Sequence, residues 1–450
     1  MTQTAPTPAA PSPPPAAGKP VEGKPAQPTD FPPPVRATLQ WLQGRFASWY
    51  RDHPPAMPDR FTRREFGFIL WPERPGAPPF LRHRAYTEAG RLHTDLARGG
   101  PHSAYYSTAY YRRPGEMKMA DKEWLGAELI FDLDADHLAE VEEAKAKGVE
   151  VPAARQLELV KRQFLRLVEE FLLGDFGLSE RDLWVSFSGS RGYHAHVVEP
   201  ALMQLDARGR REIVDYVTGK VPAERGTGKP DLSTFIREVP IATRKFGKEV
   251  KAVTVERLAP ADSPGWPGRV TRTLVETLER EVLARPRPEA RAWLLSLDGV
   301  GEKGAERFLD SFRLDHLERL RQGYLEQGQV VKRICHRLLS ESTIPLAKGE
   351  TDEPVTADTK RLIRLPGSLH GKSGLVAKAL RLDEVRGFEP FRDAVAFGAD
   401  PVRFVPRGDQ EMTLAGERVS VKKGEPTEVP ERHAVFWCAR QAGTIAHPAA

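Results

Sequence analysis

Apolar positions along the chain recur at helical spacing in some blocks and at strand spacing in others. The spacing of Leu39, Leu42 and Phe46 predicts an amphipathic helix that begins near Val35. Residues 156–173 repeat apolar side chains at the same period and stop at a glycine, which favours a second helix. Short strand-like runs occur at 66–70, 128–134, 184–187 and 194–198.

These blocks predict an α+β domain that is interrupted by a helical one. Residues 1–34 are rich in proline and alanine and are expected to form a disordered tail. The α+β domain is expected to occupy 35–215 and 341–440, with a helical insertion at 216–340 that shows no strong strand signal. Residues 441–450 are expected to be a flexible C-terminus.

Composition narrows the class of protein only slightly. The 450 residues carry a net charge of +5, but 67 basic and 62 acidic residues nearly cancel, so a polyanionic partner is favoured weakly. Neither a membrane span nor a secretory signal is predicted, and the two cysteines, Cys335 and Cys438, cannot form a disulfide framework. We expect a cytoplasmic protein in which Cys335 is a buried thiol on a helix.

The first segment with chemical potential is the strand-like run Glu128–Asp134. Side chains alternate across a strand, so Asp132 and Asp134 project together from the face opposite to the apolar residues. Two carboxylates on a rigid strand suit a pair of Mg²⁺ or Mn²⁺ ions in phosphoryl transfer.

A calcium loop is an alternative for the same residues. Asp132, Asp134, Asp136 and Glu143 occupy positions 1, 3, 5 and 12 of that pattern. However, His137 stands where the loop needs glycine, and the preceding residues favour a strand rather than a helix. An ordinary acidic strand end is the other alternative.

The second segment is a glycine-containing turn at residues 187–196. Ser188, Arg191 and the two glycines beside that arginine could hold phosphate, and His194 follows on the next strand. An ordinary polar hairpin is the alternative, and a metal site made by His194 and His196 lacks further ligands.

The third segment covers residues 351–372 and combines an acid with basic and hydroxyl side chains. Asp352 precedes a cluster of possible phosphate donors, which a metal–nucleotide site would require. A charged surface loop is the alternative. The possible donors are Arg364, Ser368, His370 and Lys372.

The three segments together resemble the small catalytic subunit of the archaeal/eukaryotic-type DNA primase, in its archaeal form. The signatures are Phe-Asp-Leu-Asp from Phe131, Ser-Gly-Ser-Arg-Gly-Tyr-His from Ser188 and Arg-Leu-Pro-Gly-Ser-Leu-His-Gly-Lys from Arg364. They occur in the family's order, and the resemblance spans roughly residues 36–440. Arg64, in an early Arg-Glu-Phe segment, is an accessory match.

The resemblance implies a two-layer, mixed-sheet primase fold and a set of site residues. Asp132, Asp134 and Asp352 are implied to be catalytic and to bind the metal ions. The implied nucleotide-binding residues are Ser188, Arg191, His194, Arg64, Ser368, His370, Lys372 and Arg364.

The resemblance also implies that the chain makes short primers on single-stranded DNA from NTPs or dNTPs, by two-metal transfer and beside a large primase subunit. Relatives commonly carry a cysteine zinc knuckle after the aspartate pair, but residues 137–180 contain no cysteine, so no structural zinc is predicted. A gap-filling polymerase of the same superfamily and a non-catalytic nucleic-acid-binding subunit are the alternatives.

One smaller motif lies in the insertion. Residues 297–305, Leu-Asp-Gly-Val-Gly-Glu-Lys-Gly-Ala, resemble the turn of a helix-hairpin-helix, whose glycines let backbone N–H groups approach a DNA phosphate. A plain glycine-rich helix start is the alternative.

Overall fold

The computed structural model describes residues 30–220, 234–246, 249–325, 328–340 and 349–446. The first helix begins at Pro33 rather than near Val35, because proline is favoured in the first turn, where its missing N–H costs nothing. Most of the predicted tail, residues 1–29, lies outside the described residues. Among the described helices, none has both the length and the apolar composition that a membrane crossing requires.

The helices vary from one turn to five. They are α1 (Pro33–Asp52), α2 (Ala89–Gly99), α3 (Ala139–Ala146), α4 (Ala153–Arg166), α5 (Pro200–Met203), α6 (Ala207–Val217), α7 (Gly265–Leu278), α8 (Arg287–Ser296), α9 (Glu302–Ser311), α10 (Leu314–Arg321), α11 (Gln329–Leu338), α12 (Glu353–Ala357), α13 (Leu382–Val385), α14 (Pro390–Asp393) and α15 (Glu431–Ala439). Helices α4 and α7 continue as π-helical turns at Leu167–Asp175 and Glu279–Leu283.

The strands are short except for one hairpin. They are β1 (Phe66–Ile69), β2 (Phe80–Arg84), β3 (Ser103–Ser107), β4 (Ala109–Tyr111), β5 (Trp124–Ala127), β6 (Leu129–Asp134), β7 (Leu183–Phe187), β8 (Gly192–Val197), β9 (Arg237–Phe246), β10 (Glu249–Arg257), β11 (Leu362–Arg364), β12 (Lys378–Leu380), β13 (Pro401–Pro406), β14 (Gln410–Leu414), β15 (Glu417–Val421), β16 (Thr427–Pro430) and β17 (Gly443–Ile445).

Two four-stranded sheets organise the α+β part of the molecule, in the orders β11-β3-β1-β2 and β12-β7-β8-β6. All named strand pairs in the described segments are antiparallel, so the expectation of a mixed sheet is wrong. One apolar core packs the second sheet against α4 and the insertion, and another packs the first sheet against α1 and α15.

Two further expectations need correction. The block at 216–340 is not purely helical, because β9 and β10 form a long antiparallel hairpin within it. The segment 441–450 is not flexible throughout, because β17 pairs with β13 and thereby joins a three-stranded sheet. Cys335 does lie buried on α11, as expected, and burial raises the pKa of its thiol to about 12.

Candidate active site

The acid pair is presented by β6 as strand alternation predicts. Leu129, Phe131 and Leu133 are buried in one core, whereas Asp132 and Asp134 keep partial contact with solvent on the other face. Strand β6 pairs with β8, which places Asp132 opposite the predicted nucleotide-binding residue His194. The Nε2 atom of His194 lies 3.5 Å from Oδ1 of Asp132.

The third acid comes from far along the chain and lies next to the pair. Asp352 immediately precedes α12, and its backbone N–H donates a 3.0 Å hydrogen bond to the carbonyl of Asp132. All three predicted catalytic acids line one cavity of about 220 Å³, together with Glu142 and Glu350. The structure therefore brings the three acids together, although more than two hundred residues separate the pair from the third.

The cavity is electrostatically unfavourable for an ionised carboxylate. Burial, and then the negative charges of Asp134 and Asp352, raise the pKa of Asp132 to about 7, while Arg361 opposes the rise. Burial also holds the pKa of His194 well below its usual value, so that its imidazole is neutral near pH 7. Concentrated negative charge with little compensation is what a bound cation relieves.

The acids fit Mg²⁺ or Mn²⁺ by donor chemistry, since these ions prefer carboxylate oxygens. The side chains are not yet closed around an ion: within the described residues, no three Asp, Glu, His or Cys side chains form a ready-made ligand group. Asp132, Asp134 and Asp352 line the same cavity and are the residues that could hold such ions.

The turn between β7 and β8 is stabilised by the hydroxyl group of Ser188. The Ser188 Oγ accepts hydrogen bonds from the backbone N–H groups of Ser190 and Gly192, at 3.4 and 3.1 Å. Gly189 has a φ of +85°, and a Cβ atom there would lie 2.9 Å from Cβ of His370. The glycine is therefore required for the close approach of the second and third predicted segments.

A hydrogen bond fastens these two segments together. Ser373 donates from Oγ to the carbonyl of Gly189 over 2.5 Å. Arg191, at the same turn, forms a 2.5 Å ion pair with Asp136, an acid outside the catalytic three. The turn and the 370–373 loop thus form one rim beside the acid cavity.

Basic side chains gather around His370 on that rim. Burial, followed by the positive charges of Arg364, the His102 ring and Lys372, holds the pKa of His370 well below its usual value. Arg440, at the end of α15, contributes in the same direction. His102 and Arg440 were not predicted from the sequence, because they lie in segments with no motif.

Arg364 is the most unusual member of this cluster. Arg364 is only 9% exposed, and within the described segments no carboxylate forms an ion pair with it. Its Nη1 atom is buried without a hydrogen-bond partner, and the guanidinium lies 4.4 Å from the centroid of the Tyr105 ring. A buried guanidinium without a counter-ion is costly unless an anion completes it.

Two predicted nucleotide-binding residues lie elsewhere. Arg64 is fully buried and is held by the Glu128 carboxylate, by the Tyr110 hydroxyl at 2.6 Å and by the Ser107 carbonyl at 2.8 Å. Ser368 is also fully buried and donates to the carbonyl of Leu365 at 2.6 Å. Because internal partners occupy both groups, neither is placed to contact a phosphate.

The buried Arg64–Glu128 pair nevertheless lies directly behind the acid strand. Glu128 precedes β6, and its second carboxylate oxygen accepts from Nδ1 of His196 at 2.8 Å. His196 stacks on Trp184, with ring centroids 3.5 Å apart. This network fixes the N-terminal end of β6, the end away from Asp134.

The motif in the insertion forms the hairpin between α8 and α9. Gly299 has a φ of +69°, and Gly301 directly precedes the first turn of α9. A Cβ atom at Gly301 would meet nothing within 4 Å, so the backbone there is open to a close approach. Contact with DNA at this hairpin stays a prediction.

Comparison with known proteins relates this geometry to a family. A sequence model of the DNA primase small subunit matches residues 131–382, which include the three acids and the rim. The DNA primase small subunit PriS of Methanothrix thermoacetophila is 37% identical over 411 residues, covering 90% of this chain and 98% of that protein. The chain belongs to the DNA primase small-subunit family.

Two further primase small subunits give the same result. The PriS proteins of Methanosarcina acetivorans and Halorubrum lacusprofundi are 35% and 37% identical, and the matches cover 92% and 90% of this chain. They also cover 98% and 97% of those relatives. The resemblance to the archaeal form of the primase small subunit is confirmed.

Proposed function

We propose that this primase small subunit is the catalytic subunit that synthesises primers on single-stranded DNA by two-metal nucleotidyl transfer. The observation that carries the proposal is the cavity shared by Asp132, Asp134 and Asp352, in which burial and mutual repulsion raise the pKa of Asp132 to about 7. Like charges packed this closely destabilise the protein unless cations bind them, so function is the best explanation for the arrangement.

The metal ions, when bound by the three acids, would activate the 3′-hydroxyl and neutralise charge on the triphosphate. The chain's own side chains would position the nucleotide and neutralise the negative charge of its phosphates. In this proposal Arg364 and Lys372, whose positive charges act on His370 at the rim, bind phosphate oxygens, and Arg191 exchanges its partner Asp136 for the nucleotide. A neutral His194 beside Asp132 can donate one hydrogen bond without adding a charge that would repel the metal ions.

The family relationship supports two partners beyond NTPs or dNTPs. We propose that the chain works beside a large primase subunit and that its template is single-stranded DNA. No structural zinc is proposed, because residues 137–180 contain no cysteine.

The test asks whether the purified chain starts synthesis without a primer. It is incubated with Mg²⁺ or Mn²⁺ and labelled NTPs or dNTPs, on a bare single-stranded template and on the same template with an annealed primer. We expect dinucleotides and longer products on the bare template, with the large subunit added in a parallel reaction. Extension of the annealed primer alone, in both reactions, would instead identify a gap-filling polymerase.

A further inference from the structure

One face of the sheet β11-β3-β1-β2 is covered at its centre only by side chains of the sheet's own strands, Phe80 and Leu362, which lie against the buried Gly67. Phe66, Phe68 and Tyr106 point into the core on the covered face. Gly67 and its cross-strand neighbour Tyr105 lie on the other face, where no core cluster covers them. The Phe80 side chain is exposed on this face, and Tyr105 is half-buried.

Gly67 lets the Phe80 ring lie directly against this face. A Cβ atom there would lie 2.9 Å from the Phe80 ring and 3.1 Å from a methyl group of Leu362. Glycine inside a strand often marks such a close approach. The Phe80 ring therefore lies across the sheet, 46% exposed, with its centroid 5.8 Å from that of Tyr105.

The aromatic strip continues directly into the basic rim. Tyr105 pairs with Arg364 across β3 and β11, and the Arg364 guanidinium lies over the Tyr105 ring at 4.4 Å. At the other end, the Arg82 guanidinium lies 5.9 Å from the Phe80 centroid. Arg82 is held by an ion pair with Glu65 at 3.0 Å, so the cation left without a carboxylate partner in the described residues is Arg364. An exposed ring and a half-buried ring that lead to such a cation suit a flat base that carries a phosphate chain.

We propose that Phe80 and Tyr105 form a stacking platform for the base of the nucleotide whose phosphates are held by Arg364 and the basic rim. The proposal rests on the proposed function and specifies how its nucleotide is held. Stacking uses the face that all bases share, so it provides affinity without choosing among them. That property is what an enzyme copying any template needs.

A competition assay separates base recognition from phosphate recognition. ATP and inorganic tripolyphosphate, both with Mg²⁺, displace a fluorescent nucleotide from the full-length chain. Stacking on one aromatic ring is worth about 1–3 kcal/mol, or about 5- to 150-fold in affinity. We therefore expect Phe80→Ala to weaken ATP at least about fivefold and to leave tripolyphosphate unchanged. Tyr105→Ala also removes the ring beneath Arg364, so it should weaken both ligands, and ATP more than tripolyphosphate.

Two further variants control for general damage. Tyr105→Phe keeps the ring and should restore ATP binding. Leu314→Ala removes another exposed apolar side chain, 72% exposed, from α10 in the insertion, and should change the affinity for neither ligand. Unchanged ATP affinity in Phe80→Ala and Tyr105→Ala, or an equal loss for ATP and tripolyphosphate in Phe80→Ala, would overturn the platform.

The outcome is separate from that of the proposed function. If the wild-type chain makes no primer, but Phe80→Ala selectively loses affinity for ATP, the platform stands and the primase proposal fails. If wild type makes primers and the two ligands respond alike in every variant, the reverse holds.

Discussion

Replacing Asp132 with asparagine should stabilise the metal-free protein while removing its activity. The carboxylate is desolvated in the cavity and repelled by Asp134 and Asp352, so its pKa rises from 3.8 to about 7. The folded state therefore holds the Asp132 proton more tightly than the unfolded state does. Stability from this group is complete below about pH 4 and is lost as the pH rises through 7.

The size of this stability change follows from the two pKa values of Asp132, in the unfolded and in the folded state. The interval from 3.8 to about 7 corresponds to about 4 kcal/mol of folding free energy at about 1.4 kcal/mol per pH unit. This is a ceiling, because the Asp132 side chain is 21% exposed and water moderates the repulsion. About half of it, about 2 kcal/mol, should be gained by Asp132→Asn at pH 8.

Urea denaturation in EDTA measures this gain. The difference in unfolding free energy between Asp132→Asn and wild type should be larger at pH 8 than at pH 5, because ionisation of the native carboxylate adds its cost between them. Asp383→Asn, at an exposed acid paired with Arg381, controls for the loss of one carboxylate. A difference that is equal at both pH values, or a net destabilisation at pH 8, would refute the reasoning.

Three further predictions concern the surroundings of the site. Glu128→Ala should lower the unfolding free energy by about 3–5 kcal/mol in urea denaturation, because it leaves a buried guanidinium without its carboxylate; a loss below 1 kcal/mol would contradict this. Arg364→Gln should weaken Mg²⁺-ATP and Mg²⁺-tripolyphosphate alike by about tenfold or more in the competition assay, since a charge-assisted hydrogen bond is worth about 1.5–3 kcal/mol. Gly301→Val should weaken binding to labelled template DNA with no loss of stability, whereas Gly44→Val, at an equally open glycine in α1, should not; equal binding by both would dispose of the DNA contact at the hairpin.

Strand alternation alone predicted correctly that Asp132 and Asp134 lie on the same face of β6. The periodicity of β6 is regular, with Leu129, Phe131 and Leu133 on the buried face, and a one-residue slip would have reversed both faces. Asp352 had no such signal. It entered through the resemblance of three ordered motifs, and only the fold shows that its backbone bonds to Asp132.

The hairpin β9–β10 was missed because its pattern is irregular. Pro240 interrupts β9, and the pairing register shifts opposite it, between Val253 and Thr254. Proline is tolerated at such bulges but argues against a strand when it is read from sequence. Charged residues also occur through both strands, which weakens the alternation of apolar positions.

Arg64 and Ser368 were predicted to bind the nucleotide, but both side chains are buried and have internal partners. Arg64 was assigned through the resemblance of the Arg-Glu-Phe segment and Ser368 through its place in the third motif, and neither signal reports whether a side chain is buried. Here Glu128 and the Leu365 carbonyl occupy the two side chains. Phe80 and Tyr105 were overlooked because they belong to no motif and lie on different strands, which only the folded sheet brings together.

Primer synthesis by single-acid variants tests the central claim most directly. Wild type, Asp134→Ala and the surface control Asp383→Ala are compared on a bare template with labelled nucleotides, with and without the large subunit. The three-acid site predicts that Asp134→Ala abolishes dinucleotide formation while Asp383→Ala retains it. Undiminished synthesis by Asp134→Ala would contradict the assignment of the acid cavity as the catalytic centre.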